Sequence, residues 1–224
     1  MAVNYLGKQG KIILTIAIPM LLFAKISVGM IEKKLSVFDD TVYQFVAKFM
    51  AEEMTDFMKV LTFLGSGLAL VLITLSIFAG TYGKKKVAFW SWMAAVNLIV
   101  SSALNEILKL IFHRERPDIL RLVNVSDYSF PSGHSMIGMC FYGFVAYMVY
   151  KNMRNGWKYA AVFLISILIL LIGISRIYLG VHYASDVVGG FLAGLAWLAA
   201  LIPIHNRMYK NYCDKHVQNC SDEE

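Results

Sequence analysis

Three short stretches of this chain place anion-handling and proton-handling side chains at fixed spacing. They are Lys109 with Arg116 and Pro117, then Pro131-Ser132-Gly133-His134, then Ser175-Arg176 followed by His182 and Asp186. His182 and Asp186 are four apart, so on a helix they share a face. Asp186 can then accept from one imidazole nitrogen, fix the tautomer and make the other nitrogen a better nucleophile. Arg176 offers a forked, permanently charged donor set that suits phosphate oxygens. The second stretch reads as a helix start, with Ser129 or Ser132 as cap and Pro131 in the first turn. Amides at such a start favour anions, Gly133 leaves room for one, and His134 stands at the edge, placed to protonate a leaving alkoxide. Lys109 and Arg116 are seven apart, close to two helical turns, and Pro117 ends that helix. Two cations on one face add charge against phosphoryl oxygens, and phosphoryl transfer is catalysed mostly by positioning and charge.

Neighbouring polar residues have plainer readings. A histidine beside an aspartate is more often structural than catalytic; it is the company of the other two stretches that favours chemistry at His182 and His134. His113 falls between Lys109 and Arg116 and reads as interfacial. Arg114 and Arg121 read as solvated charges, Asn105 as a partner of Lys109 or a helix contact, and Lys25 as a side chain that snorkels out of its span. Cys213, His216 and Cys220 are too few for a structural zinc site, which takes about four ligands. They read as a solvated tail, and three cysteines in all give no disulfide framework.

The elements that must position these residues are membrane helices. The 224 residues are 58% hydrophobic and 16% charged, whereas an ordinary soluble domain carries about a quarter charged residues. Six apolar runs stand out, at 12–31, 57–82, 87–108, 135–150, 159–174 and 187–204. A span takes about 20 apolar residues, so the two shortest runs extend into their flanks. The first run is too long for a signal peptide and lacks a small-residue cleavage site, so it reads as a retained helix. Segment 32–56 carries Val42, Phe45, Val46, Phe49, Met50 and Met54 at helical spacing. It reads as a short amphipathic helix at the interface, with Asp39 or Asp40 as its cap. The expected fold is therefore all-α: residues 1–224 form a single integral membrane domain of six transmembrane helices with that interfacial helix after the first.

With six spans, both termini share a side that holds eleven Lys and Arg, against nine opposite. Four of those nine, Lys109, Arg114, Arg116 and Arg176, lie within or beside the three stretches. This favours cytoplasmic termini and places the three stretches together on the outer face. The net charge of +6 suits anionic lipid headgroups and requires no nucleic-acid partner.

Taken in order, Lys-x6-Arg-Pro, Pro-Ser-Gly-His and Ser-Arg-x5-His-x3-Asp resemble the three-part signature of the type-2 phosphatidic acid phosphatase superfamily, and every motif position matches. The resemblance implies a membrane lipid phosphatase that uses neither metal nor other cofactor. It further implies that His182 attacks phosphorus to form a phosphohistidine, that Asp186 holds His182, and that His134 protonates the leaving group and then helps activate water. Lys109, Arg116, Ser132, Gly133, Arg176 and Ser175 would bind the phosphate. The partners so implied are a lipid phosphate monoester or diphosphate and the surrounding membrane lipids; oligomeric state stays open. The small size is similar to that of bacterial members acting on phosphatidylglycerophosphate, the preferred expectation, or on undecaprenyl diphosphate. Loop 118–130 would cover the site. More remote readings are a vanadium-dependent haloperoxidase, which shares the superfamily's anion site, and a non-enzymatic lipid-binding or transport protein.

Overall fold

Backbone polar groups have no water to bond in hydrocarbon, so apolar runs of this length satisfy them internally as helices. The computed structural model describes residues 2–80, 85–119, 121–123 and 125–216. Among these residues it contains eight helices and no strand: α1 (Ala2–Ile31), α2 (Ser36–Ala47), α3 (Glu52–Leu64), α4 (Gly67–Gly80), α5 (Lys85–Phe112), α6 (Gly133–Asn152), α7 (Trp157–Tyr178) and α8 (Ala184–His216). Four stretches are long and apolar enough to cross a membrane: Gly10–Ile31, Ala88–Phe112, Trp157–Tyr178 and Ala184–Asp214. The α3–α4 pair would be a fifth, bent by 55°. The chain is thus an all-helical, multi-pass membrane protein.

The run at 57–82 is not one straight helix. Gly65 caps the end of α3, and the Ser66 hydroxyl accepts the Ala69 amide at 3.2 Å, opening α4. The Tyr142 hydroxyl donates to the Leu64 carbonyl at 2.7 Å, which satisfies an acceptor freed by the break. A Cβ at position 65 would lie 2.5 Å from Ile172 Cγ2 and 3.1 Å from the His134 ring, so the elbow seats closely beside a candidate site residue. Segment 32–56 also departs from a single amphipathic helix. It holds α2, a break, and the start of α3. Asp39 does not cap α2; it is buried within the first turn of that helix.

Helix α6 lies against α5, α7 and α8, while α1 lies against α8 and α3 against α7. Trp90, Leu98, Phe141, Phe144, Ile169, Ile172 and Leu201 belong to the main core. Asn97 ties three helices inside it, donating to the Cys140 carbonyl at 2.8 Å and accepting from Trp197 Nε1 at 2.9 Å. At the site end, α2 and α3 form a collar around the junction of α7 and α8. Fully buried Tyr178 pins that collar, since its hydroxyl meets the Ala51 carbonyl at 3.2 Å and Thr55 Oγ1 at 3.0 Å.

At two points α8 contributes no side chain to the α6–α8 contact. A Cβ at Gly190 would stand 2.8 Å from the Ser132 carbonyl, and one at Gly194 2.7 Å from the Met136 carbonyl. Small residues let helix backbones meet in this way. Gly190→Ala must push α8 away from the start of α6, and we expect it to cost about 1–3 kcal/mol and to lower activity. Thermal unfolding in detergent beside an activity assay checks this; an unchanged Tm would show that the two helices can separate freely.

Cys213, expected in a solvated tail, is instead buried and disulfide-bonded. Its neighbour Cys220 and the His216 side chain lie outside the described residues. Lys25 is exposed along α1.

Candidate active site

His182 sits in the short connection between α7 and α8, where Gly180 turns the chain with φ 70°. It lies one residue before the cap of α8, so the expected shared helix face does not exist; Asp186 reaches back from the first turn instead. Asp186 Oδ2 accepts the Tyr183 amide at 2.8 Å, the returning half of a capping box. The same oxygen lies 3.5 Å from His182 Nδ1 and accepts the Ser129 hydroxyl at 2.5 Å. Ser129 Oγ in turn stands 3.3 Å from His182 Nδ1. Ser129 was a candidate cap for α6; it serves the histidine instead.

The tautomer of His182 follows from its other side. Nε2 is 3.1 Å from Arg116 Nη1. A guanidinium only donates, so Nε2 carries the lone pair and Nδ1 the proton. Burial pushes this imidazole down to about 4, against the pull of Asp186. It is therefore neutral at physiological pH. One nitrogen is held by a carboxylate, and the other keeps a lone pair that can act on an electrophile once Arg116 releases it.

Asp186 is itself held from behind. Arg114 Nη1 donates to Asp186 Oδ1 at 2.5 Å and to Ser185 Oγ at 2.7 Å, and Nη2 donates to Asp39 Oδ2 at 2.9 Å. Asp39 also accepts the Ser185 amide and hydroxyl, each at 2.7 Å. The Arg114 guanidinium lies 4.1 Å from the Tyr183 ring centroid. Arg114 is thus no solvated charge, and Asp39 joins the site from α2. Sequence spacing hid both, because the link from Asp39 to Ser185 spans 146 residues. Arg121 folds onto the Pro117 carbonyl at 2.7 Å.

The candidate phosphate ligands converge from four elements. Lys109 lies in the last turn of α5, but that helix stops at Phe112 and His113 turns left-handed with φ 46°. Arg116 is therefore delivered by a loop rather than by helical periodicity. Exposed His113 packs edge-on against Tyr128. Arg176, buried near the end of α7, donates through Nη1 to Thr62 Oγ1 at 2.7 Å and keeps a buried Nε with no partner among the described residues. Ser132 occupies the cap position of α6 without a side-chain cap bond, and the Phe130–Pro131 peptide before it is cis. Pro131 thus precedes the helix rather than opening it.

A Cβ at Gly133 would meet Asn105 Oδ1 at 3.0 Å and Lys109 Nζ at 3.9 Å, so the free space there faces the ammonium. Asn105 bonds the Pro131 carbonyl at 3.3 Å, not Lys109. His134 is half-buried and within electrostatic reach of Arg176, His182, Lys109 and Arg116. Ser175 is the exception among the expected ligands: its hydroxyl is fully buried and donates within α7 to the Ile172 carbonyl at 2.7 Å. Open space reaches His182 from one side, through a cavity of about 270 Å³ that Asp39, Tyr43, Pro117 and Tyr183 help to line.

The assembly of a neutral oriented imidazole, three cations and the first amides of α6 can bind an anionic group and transfer it. The comparisons agree with that chemistry. The PAP2 superfamily matches over residues 90–210. Phosphatidylglycerophosphatase B of Bacillus subtilis is 37% identical over 147 residues, covering 63% of this chain and 70% of that protein. The undecaprenyl-diphosphatase BcrC of the same organism is 28% identical over 132 residues, covering 57% and 62% respectively. The crystal structure of a transmembrane PAP2-type phosphatidylglycerolphosphate phosphatase from Bacillus subtilis superposes with a TM-score of 0.81 at 28% identity, over 87% of this chain and 97% of that one. A buried histidine oriented by an aspartate, set among the three matching motifs, is thus found in a chain that belongs to the PAP2 superfamily and is a membrane lipid phosphatase.

Proposed function

We propose that this phosphatase works through a phosphohistidine on His182. The substrate phosphoryl oxygens take the donors of Lys109, Arg116, Arg176 and the amides of the Ser132–Gly133 turn. Arg116 exchanges the His182 lone pair for a phosphoryl oxygen, and Nε2 attacks phosphorus. The bond from phosphorus to the lipid oxygen breaks, its electron pair leaves with that oxygen, and His134, protonated as the dianionic phosphate enters beside it, supplies the proton. Water then attacks the phosphohistidine as His134 takes its proton. The phosphorus–nitrogen bond breaks, and inorganic phosphate leaves. Asp186 compensates the positive charge on the imidazole during both steps. The observation that carries this reading is the paired contact of His182, with Nε2 on Arg116 and Nδ1 on Asp186 and Ser129.

We assign a phosphatidylglycerophosphate-like lipid as the preferred substrate, on the strength of the relative with 37% identity. Undecaprenyl diphosphate is the second reading, favoured by the likeness to BcrC. Phosphate release by purified protein in detergent, with chelator present, would rank these two lipids and phosphatidic acid. A faster rate on undecaprenyl diphosphate would reverse the assignment, and no release from any of them would end it.

Six spans are our reading of the topology: α1, the bent α3–α4 pair, α5, α6, α7 and α8, with α2 at the interface. The 20 residues of α6 are long enough to cross, and its polar start lowers its hydropathy. The basic loops then put both termini in the cytoplasm and the site outside. A cysteine placed at Ser126 should react with an impermeant reagent on intact cells; reaction only after permeabilisation would invert the orientation.

His182 also sets a pH dependence. Its folded value lies below the ordinary 6.5, so the unfolded chain binds more protons between about 4 and 6.5. Its contribution to stability is complete above 6.5 and lost as pH falls toward 4. We expect the acid limb of kcat/KM, corrected for substrate ionisation, near pH 4. A limb near 6.5 would indicate a solvated imidazole at this position.

A further inference from the structure

Asp127 stands on the seat assigned to phosphate. Its Oδ2 pairs with Lys109 Nζ, and its Oδ1 accepts from Arg116 Nη2 at 2.5 Å. Its backbone carbonyl separately accepts from Arg116 Nε at 2.8 Å. The opposite end of the same guanidinium touches the nucleophilic nitrogen of His182. The cations are interior and the anion is not: the side chains of Lys109 and Arg116 are 7% and 5% exposed, that of Asp127 47%. Burial alone would raise the Asp127 carboxyl, but Lys109 and then Arg116 hold it down at about 2, so it stays charged at any working pH. Beyond it lies an open basin of about 400 Å³, which Arg121, Ser126 and Tyr128 help to line. The carboxylate can swing into this basin while the carbonyl contact keeps the loop on Arg116.

A carboxylate that bridges two buried cations does what two phosphoryl oxygens would do, with a single charge. We propose that Asp127 is a specificity-determining residue: it holds the Lys109–Arg116 seat until a doubly charged terminal phosphate displaces it, and it excludes singly charged phosphodiester headgroups. A phosphate monoester carries about −1.5 to −2 near neutral pH, so it gains attraction when it replaces a carboxylate. A phosphodiester carries one charge and gains none. In a membrane rich in phosphodiester lipids, that difference keeps the site from filling with bystanders. The inference rests on the assignment of Lys109 and Arg116 to phosphate binding.

The test uses hydrolysis of dioctanoyl phosphatidic acid by the full-length protein in micelles. Its methyl phosphodiester and inorganic phosphate serve as competing ligands. For the unaltered protein, the diester should inhibit at least about a hundredfold more weakly than phosphate does. Asp127→Asn keeps the side chain's shape and removes its charge. It should lower KM and the phosphate inhibition constant by about tenfold and turn the diester into a competitive inhibitor. Equal inhibition by diester and phosphate in the unaltered protein would overturn the inference, whether or not the variant folds. A higher KM and weaker phosphate binding in Asp127→Asn would overturn it too, by making Asp127 a support for the cations. If the unaltered protein releases no phosphate, the assignment of function itself fails.

Discussion

His182→Ala should lower phosphate release by at least about a thousandfold while the protein keeps its helical circular dichroism. The nearest groups on either side of His182 are poor substitutes. The Ser129 hydroxyl already donates to Asp186, and Arg116 and Arg176 have only donors to offer. The loss should appear in kcat, because the groups proposed to bind phosphate survive the substitution. A rapid acid-free quench of the unaltered protein with labelled substrate should trap label on a histidine, and the variant should carry none. A residual rate within tenfold of the unaltered protein would remove His182 from the role of nucleophile.

Asp39→Ala should damage both the fold and the reaction. One guanidinium, Arg114, lies between the buried carboxylates of Asp39 and Asp186. Removing Asp39 strands Arg114 Nη2 and the Ser185 amide and hydroxyl in the interior. Breaking a buried ion pair from one side costs about 3–5 kcal/mol, which corresponds to a fall in Tm on the order of 10 °C for a chain of this size. Arg114 would then lean wholly on Asp186 and drain the charge that orients His182, so kcat should fall with KM little changed. Asp39→Asn can still accept the Ser185 amide and should recover much of the Tm. An Asp39→Ala protein with unaltered Tm and kcat would show that Asp186 needs no support from α2.

The chemistry was more legible in the sequence than its scaffolding. The motif residues announce themselves by type and spacing, and His182, Asp186, Lys109, Arg116 and Arg176 do converge. Spacing could not tell that α5 ends at Phe112 or that His182 lies outside α8. Both pairings were inferred from helical periodicity, yet both are achieved by turns, at His113 and Gly180, where the backbone adopts positive φ. The roles of Asp39, Arg114, Ser129, Thr62 and Asp127 depend on tertiary contacts between distant or loop segments, which leave no periodic trace. The break at Gly65–Ser66 was concealed for a different reason. Apolar residues flank it on both sides, so the stretch reads as a single run, while the capping chemistry that makes the break occupies only Gly65 and Ser66.

The close passage of α8 over the start of α6 has a consequence for how the enzyme meets its surroundings. At Gly190 and Gly194 the α8 backbone lies against the carbonyls of Ser132 and Met136, which leaves little room for a change in spacing. His134 rides on one of these rods, and His182 immediately precedes the other. The spacing of the two helix starts at which His134 and His182, the proposed proton donor and nucleophile, stand is thus set by close helix packing. Bilayers of different thickness or fluidity should then alter how readily a lipid arrives, and leave the turnover of a bound one nearly constant.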